Sequence, residues 1–361
     1  MIKTILTPYE LKGNISFFLK RKYLSENGYQ VYKLSTAIKH FFKGFRIANL
    51  NFYESMYSDN YFICIIQYAI KVSVLYAMKI CNVRIIYTMH NKVGHDSKYF
   101  NIEKKLMKKL CILSDSIVIL CSESKETIKE ICGNDYYQIE KKITKIPLIS
   151  YEDAYPIRNV DIKEKYGLDK NKMIISFIGA VRKYKNIELI IECAKKMVGE
   201  DVEFVIAGAG SEQYIQDLSN KIKGLSNIKL LKRFISDDEM ADFANAVDVF
   251  ILPYDITSSL NSGTCMYAFS FGRNVICPRI GTIKELDNQV CYSYVYSSEE
   301  EHMKELLCKC YEAYYEWKNN KEVFIQKQEI LRTEVRKNNS YNIISNKYKE
   351  LYERVLKGEK A

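Results

Sequence analysis

The sequence predicts an α/β protein built from two doubly wound, parallel-sheet domains. Three observations carry that expectation. Short β-branched runs alternate with segments of helical spacing along most of the chain, as parallel sheets with crossover helices require. The alternation breaks after Pro147, passes through Ser150-Tyr151-Glu152-Asp153-Ala154-Tyr155-Pro156, and restarts at Met173. The 361 residues are enough for about two domains, each able to bury a core.

The elements follow in order. Residues 2–6 read as a strand, 8–14 as a turn-rich loop containing Gly13, and 15–26 as a helix closed by Asn27-Gly28. A strand at 31–34 completes a βαβ opening, whose first loop faces the carboxyl edge of the sheet, where ligands bind in such folds. The aromatic-rich region 38–57 holds a strand at 47–52. The apolar run 61–80 is interrupted by Gln67 and Lys71. A buried or amphipathic helix is therefore expected there, and not a membrane span of about 20 predominantly apolar residues. Strand 83–89, helix 98–113, strand 116–120, helix 123–132 and strand 143–146 finish the first half.

After a short helix at 161–166, strands are expected at 173–179, 203–207, 228–231, 249–252 and 274–277, with helices 186–198, 212–223 and 237–246 among them. The tail from Glu299 is helical and includes helices 322–335 and 341–356. The expected division is an N-terminal domain at 1–150, a linker and lead-in at 151–172, a second domain at 173–335, and a final helix at 336–361 with the option of packing back on the first domain.

Composition narrows the function class. With 47% hydrophobic and 27% charged residues, the chain is of a folded class and not a disordered one. Eleven cysteines stand at no repeating spacing. With a strand-like start in place of a secretory leader, they are expected to be reduced core residues of a cytoplasmic protein. Residues 1–150 carry 23 Lys+Arg against 12 Asp+Glu, whereas the remainder is nearly balanced. A basic half-protein suits an anionic substrate or an anionic membrane surface. No zinc-finger spacing, basic heptad helix or RNP-like strand is present, and nucleic acid is set aside.

Candidate site residues cluster after strands. His90 and His95 follow the strand at 83–89, but their spacing and the lack of clustered Cys or carboxylates argue against a metal. His90 is read as lining a cleft; for His95 a structural role is equally acceptable. In Gly179-Ala180-Val181-Arg182-Lys183-Tyr184-Lys185-Asn186, Arg182 offers a planar fork of donors and Lys185 a point charge, both suited to phosphate oxygens. Gly208, in Ala207-Gly208-Ala209-Gly210, would let a ligand approach the backbone, although Gln213 stands where a dinucleotide fingerprint needs a third glycine. Asn261-Ser262-Gly263-Thr264 places small residues at a helix N-terminus, a natural anion site. Glu285 projects from the turn after Gly281.

The series GAVRKYKN, FVIAGAGSE, DDEMADFANAVDVFILPY, SGTCMYAFSFGRNVI and GTIKEL resembles the donor-binding domain of GT-B glycosyltransferases, particularly the family-4-like group. TMHN and DSIVILCSES extend a looser likeness into the first half. The resemblance implies a GT-B fold and transfer of a sugar from a nucleotide-diphosphate donor to a glycan or lipid-diphosphate acceptor. The setting would be synthesis of a surface polysaccharide or glycolipid, with retention and with no metal or cofactor. A UDP-sugar is favoured over a GDP-sugar. Arg182 and Lys185 would hold the donor diphosphate, and Gly13 and Asn14 would approach the phosphates or sugar. His90 would contact the sugar or the acceptor, Phe234 and Ile235 would flank the base, and Ser262, Gly263 and Thr264 would cap the phosphates. Gly208 and Glu285 complete the donor-binding set. Ser259 and Tyr267 stand where the family usually has two glutamates, which leaves the ribose contact and the stereochemical course open. A sugar-nucleotide epimerase of the same fold and a non-catalytic transferase-like subunit are the alternatives. The cytoplasm is the expected location, with peripheral attachment to the inner face of the plasma membrane as an addition.

Overall fold

In a computed structural model, which describes residues 1–7, 15–56, 58–92, 98–286 and 290–359, every strand pairing is parallel. The first sheet contains β1 (Ile2–Thr7), β2 (Tyr29–Tyr32), β3 (Phe45–Asn51), β4 (Arg84–Met89), β5 (Ser116–Ile119) and β6 (Ile143–Lys145), in the order β2-β1-β3-β4-β5-β6. The second contains β7 (Met173–Ile178), β8 (Val202–Ala207), β9 (Ile228–Leu231), β10 (Val249–Ile251), β11 (Asn274–Pro278) and β12 (Tyr292–Tyr294), in the order β12-β11-β10-β7-β8-β9. Strands covered on both faces read as continuous apolar runs. MIISFI of β7 and VEFVIA of β8 are buried at every position.

The chain divides into two units. The first takes Met1–Ile149, Thr257–Asn261 and Tyr341–Ala361; the second takes Ser150–Ile256 and Ser262–Ser340. In the first unit the Tyr341–Lys357 helix lies against the Ile15–Glu26 helix and β3. It buries Ile344, Tyr348, Leu351, Tyr352 and Val355, one face at helical spacing. Its rings complete that contact: Tyr348 stacks on Tyr23 at 5.3 Å and Tyr352 meets Tyr29 edge-on at 5.2 Å.

The fold class is the one expected, and the departures are local. The strand expected at 31–34 lies at Tyr29–Tyr32, and a Leu34–Lys39 helix follows it. Gly28 at φ 81° reverses the chain at once, so Tyr29 is already paired with Ile2. β12 was not expected, because three residues on a sheet edge are too few to show a period.

Both sheets reverse their direction of growth, the first between β1 and β3, the second between β7 and β10. Such switch points open a crevice at the carboxyl ends of the strands. In the second unit, β7 and β8 stay tied beyond their ends: the Gly179 N–H donates to the Ala207 carbonyl at 3.0 Å and the Val181 N–H to the Ala209 carbonyl at 2.8 Å. A Cβ on Gly208 would stand 1.8 Å from the Gly179 carbonyl oxygen, and one on Gly210 would stand 2.5 Å from that of Val181. Gly208 is thus glycine because the chain's own backbone occupies the space, not because a ligand must. Gly208→Ala is expected to cost about 1–3 kcal/mol or more through overpacking, measured as a lower urea midpoint. An unchanged midpoint would refute the contact.

Candidate active site

The second unit gathers several sequence-predicted residues at its switch point. The Arg182–Lys185 loop follows β7, and the segment before the Gly263–Ser270 helix follows β10. Asn186, in a left-handed conformation at φ 53°, donates from Nδ2 to the Pro253 carbonyl at 2.9 Å, which ties the two loops together. Lys185 Nζ lies 4.3 Å from the centre of the Tyr254 ring, a cation–π distance. Arg182 is exposed and Lys185 half-buried.

Ser262 proves to be a helix cap. Its Oγ accepts from the Cys265 N–H at 3.1 Å and its hydroxyl donates to Tyr254 Oη at 3.0 Å, while its N–H donates to Thr282 Oγ1 at 3.2 Å. A side chain so committed, and only 6% exposed, holds the helix start in place and is not itself a phosphate ligand. The first-turn N–H groups of Gly263 and Thr264 remain; the helix has no acceptors for them, and none appears among the described residues. Asn261, expected beside them, belongs to the first unit, where its Nδ2 donates to the His90 carbonyl at 2.8 Å.

Further along the same sheet edge, Phe234 is 62% exposed after β9, whereas Ile235 is buried at 6%. The Phe234 ring is thus turned to solvent, while Ile235 anchors its loop in the core. Glu285 is exposed at the end of the Gly281–Lys284 helix, whose Thr282 holds the Ser262 N–H. Gly13, Asn14 and His95 lie outside the described residues.

His90 belongs to the first unit. It lines a cavity of ≈ 40 Å³ together with Lys20, Asn51, Thr88, Leu148 and Tyr348, room for a water or two. Its ring stacks on Phe52 at 3.8 Å and its Nε2 lies 3.1 Å from Asn51 Oδ1. The donors and acceptors assign the tautomer. Asn49 Nδ2 donates to Tyr352 Oη at 2.9 Å, so Asn49 Oδ1 is the acceptor for Thr88 Oγ1 at 2.9 Å and for Asn51 Nδ2 at 3.1 Å. Asn51 Oδ1 then faces His90, and an amide oxygen has no proton to give. Nε2 carries the hydrogen, and Nδ1 is left as the ring's acceptor. Burial, reinforced by the charge of Lys20, lowers the imidazole to about 3. Lys20 Nζ donates to Asn51 Oδ1 at 3.3 Å and sits 4.4 Å over the Tyr348 ring. Burial lowers its ammonium to about 7.

With the geometry in place, the likenesses to known proteins gain meaning. Residues 172–312 match the family model of glycosyl transferases group 1. That match takes in β7 to β12 and most of the second unit. It is 25% identical to a glycogen synthase of Thermodesulfovibrio yellowstonii over 238 residues, which is 59% of this chain and 45% of that protein. It is 26% identical to granule-bound starch synthase 1 of Solanum tuberosum over 95 residues, 24% of this chain and 16% of that one. The chain therefore spans less than half the length of these curated relatives. Among solved structures, sucrose-phosphate synthase from Thermosynechococcus elongatus aligns with a TM-score of 0.73 at 11% identity, covering 99% of this chain and 100% of the other. Anabaena HepE in complex with UDP aligns with a TM-score of 0.71 at 11% identity, covering 98% and 100%. The fold is GT-B.

Within the matched region, Tyr267 is part of the core. Its hydroxyl donates to the Met240 carbonyl at 2.6 Å and its ring packs edge-on against Tyr155, Phe250 and Phe271. It cannot stand in for a carboxylate at a ligand. Ser259 is buried in the first unit. Among the described residues no group of three His, Cys, Asp or Glu side chains could hold a metal. Sequence reading missed Lys20, Asn49, Asn51, Tyr254 and Tyr352. Of these only Asn49 and Asn51 left a signal, as amides inside an apolar strand.

Two measurements check the first-unit cavity. Nitrogen-15 NMR of the imidazoles is expected to show His90 as the neutral Nε2–H tautomer, unchanged between pH 8 and pH 5, about two units above its lowered value. Asn51→Leu is expected to give a mixed tautomer; an Nδ1–H signal in the native protein would overturn the assignment. For Lys20 the folded-state value lies below the ordinary 10.5. Its contribution to stability is then present above 10.5 and lost as pH falls toward about 7. Lys20→Met is expected to gain stability relative to the native chain as pH drops through that window, read from urea unfolding curves. Parallel pH profiles for the two proteins would count against it.

Proposed function

We propose that the protein is a glycosyltransferase that moves a sugar from a nucleotide-diphosphate donor, preferably a UDP-sugar, to a glycan or lipid-linked acceptor. Synthesis of a surface polysaccharide or glycolipid in the cytoplasm is the setting that fits. One observation carries the reading. The loop carrying Arg182 and Lys185 follows β7 at the switch point, and Asn186 fastens it to Pro253. Lys185 lies over the ring of Tyr254, whose hydroxyl accepts from Ser262 at the start of the Gly263–Ser270 helix, all within the region that matches the group 1 model. The donor preference draws on HepE, whose structures hold UDP and UDP-glucose.

The chemistry follows from charge. As the bond between the anomeric carbon and the phosphate oxygen breaks, its electron pair passes to the diphosphate. Negative charge builds there and positive charge on the sugar. Arg182 and Lys185 as fixed cations, and the helix start as a fixed dipole, stabilise the first of these without a metal. In a retaining course the acceptor oxygen bonds the anomeric carbon from the face that the diphosphate leaves, and its proton passes to the departing phosphate oxygen. His90 as a neutral acceptor at Nδ1 suits a sugar or acceptor hydroxyl. Phe234 offers an apolar face for the base, and Glu285 is a carboxylate within the same unit for a hydroxyl of the donor.

A second reading, a non-catalytic transferase-like subunit, is favoured by one finding: neither Ser259 nor Tyr267 supplies a carboxylate. Donor turnover separates the two. Purified protein is expected to hydrolyse or transfer from a UDP-sugar, and UDP is expected to raise its melting temperature. Arg182→Ala and Lys185→Ala should each lower turnover roughly 100-fold, on the scale of losing one electrostatic donor, and should abolish the UDP-induced shift. Turnover and UDP binding left intact in both variants would sink the site.

A further inference from the structure

The Tyr61–Ile80 helix is built inside out. At a helical repeat, Phe62, Ile66, Ala69, Ser73, Tyr76 and Ile80 form one stripe, flanked by Ile65 and Ile70. This apolar stripe faces outward: Phe62 is 74% exposed, Ile66 57%, Ile70 58% and Ile80 85%. The opposite face carries Cys64, Leu75 and Met78, the helix's three buried residues, and also Lys71. The Lys71 ammonium turns inward and donates to the carbonyls of Tyr53 at 2.9 Å and Ser55 at 2.6 Å. A helix designed only for water would place both its lysines outside, as it does the exposed Lys79, and its isoleucines inside.

The apolar stripe continues past the helix and is rimmed by cations. Cys81 Sγ donates to the Phe41 carbonyl at 3.7 Å, which brings Phe41, 86% exposed, beside the helix end. Lys39 and Lys43 flank it, both exposed. At the other end Tyr61 meets the Tyr99 ring at 5.4 Å. Lys98 is exposed there and pairs with Asp59. These residues belong to the half of the chain with the excess of positive charge.

We propose that this face is a docking surface for an anionic lipid bilayer, with the helix lying in the plane of the interface along its length of about 30 Å. Spanning is excluded by the packing of the helix against the Phe100–Leu113 helix and β4 and by the inward hold on Lys71. A second copy of the chain would bring the same cations face to face. An anionic bilayer accepts both the apolar stripe and its basic rim. The surface does not depend on the transferase reading, because vesicle binding needs neither donor nor acceptor.

Co-sedimentation of the full chain with vesicles tests it. Binding is expected to phosphatidylcholine vesicles containing phosphatidylglycerol, and to fall roughly tenfold or more with pure phosphatidylcholine or at high salt. Ile66→Asp combined with Ile70→Asp should weaken binding by roughly tenfold or more, with circular dichroism and melting temperature unchanged because both side chains are exposed. Phe62→Trp in a Trp317→Phe background should shift its emission to the blue on vesicle addition and be quenched by brominated acyl chains. The proposal falls if the native chain ignores anionic vesicles or if the double variant binds as well as native. It falls also if ultracentrifugation shows a lipid-free dimer that the double variant dissolves.

Discussion

The pairing of β7 with β8 beyond their formal ends is the constraint on which the second unit rests. Two N–H to carbonyl bonds hold the chain at Gly179 and Val181 against residues 207–209, and this approach is open only where Gly208 and Gly210 have no Cβ. Once it is made, the direction of the loop carrying Arg182 and Lys185 is settled by backbone geometry and not by flexible side chains. Asn186 then fastens that loop to the other bank of the crevice at Pro253. Charge held this way needs little rearrangement when a leaving group becomes negative, which is the condition for electrostatic stabilisation to count.

The first unit solves a related problem with polar groups. Asn49 and Asn51 sit on a strand whose other buried residues, Phe45, Ile47, Ala48 and Leu50, are apolar, and burying two amides is costly unless each atom finds a partner. Tyr352, Thr88, Lys20 and His90 supply those partners. The chain of bonds begins on the Tyr341–Lys357 helix and ends on an imidazole, so the helix that closes the sequence helps to determine which nitrogen of His90 carries a proton.

In the Tyr61–Ile80 helix the usual sorting by polarity is broken at Lys71 and at the outward isoleucines, although Cys64, Leu75 and Met78 are buried and Lys79 is exposed. Lys71 inside is tolerable because two carbonyls receive its protons and because burial lowers its ammonium to about 8. The exposed isoleucines outside have no such compensation in water. Contiguous apolar surface of this kind on a folded domain marks contact with something other than solvent.

Much of this architecture can be read along the chain. Alternation of apolar runs and helical spacing determines two parallel sheets, because a parallel strand must be reached by a crossover and the crossover must be covered. That Arg182 and Lys185 follow β7, that Gly263 and Thr264 open the helix after β10, and that His90 follows β4 is legible as well, because residues after strands fall at the carboxyl edge of a parallel sheet. What only the tertiary structure decided are pairings and orientations. Asn49 and Tyr352 are 303 residues apart, and no local pattern links them. Lys20 sits within a helix, where a lysine is read as solvated. Ser262 looks like a phosphate ligand until Cys265, Tyr254 and Thr282 take its atoms. Gln67 and Lys71 mark the helix at 61–80 as amphipathic, yet which face turns inward depends on the surface it packs against. Periodicity states that a face exists; only packing states what it meets.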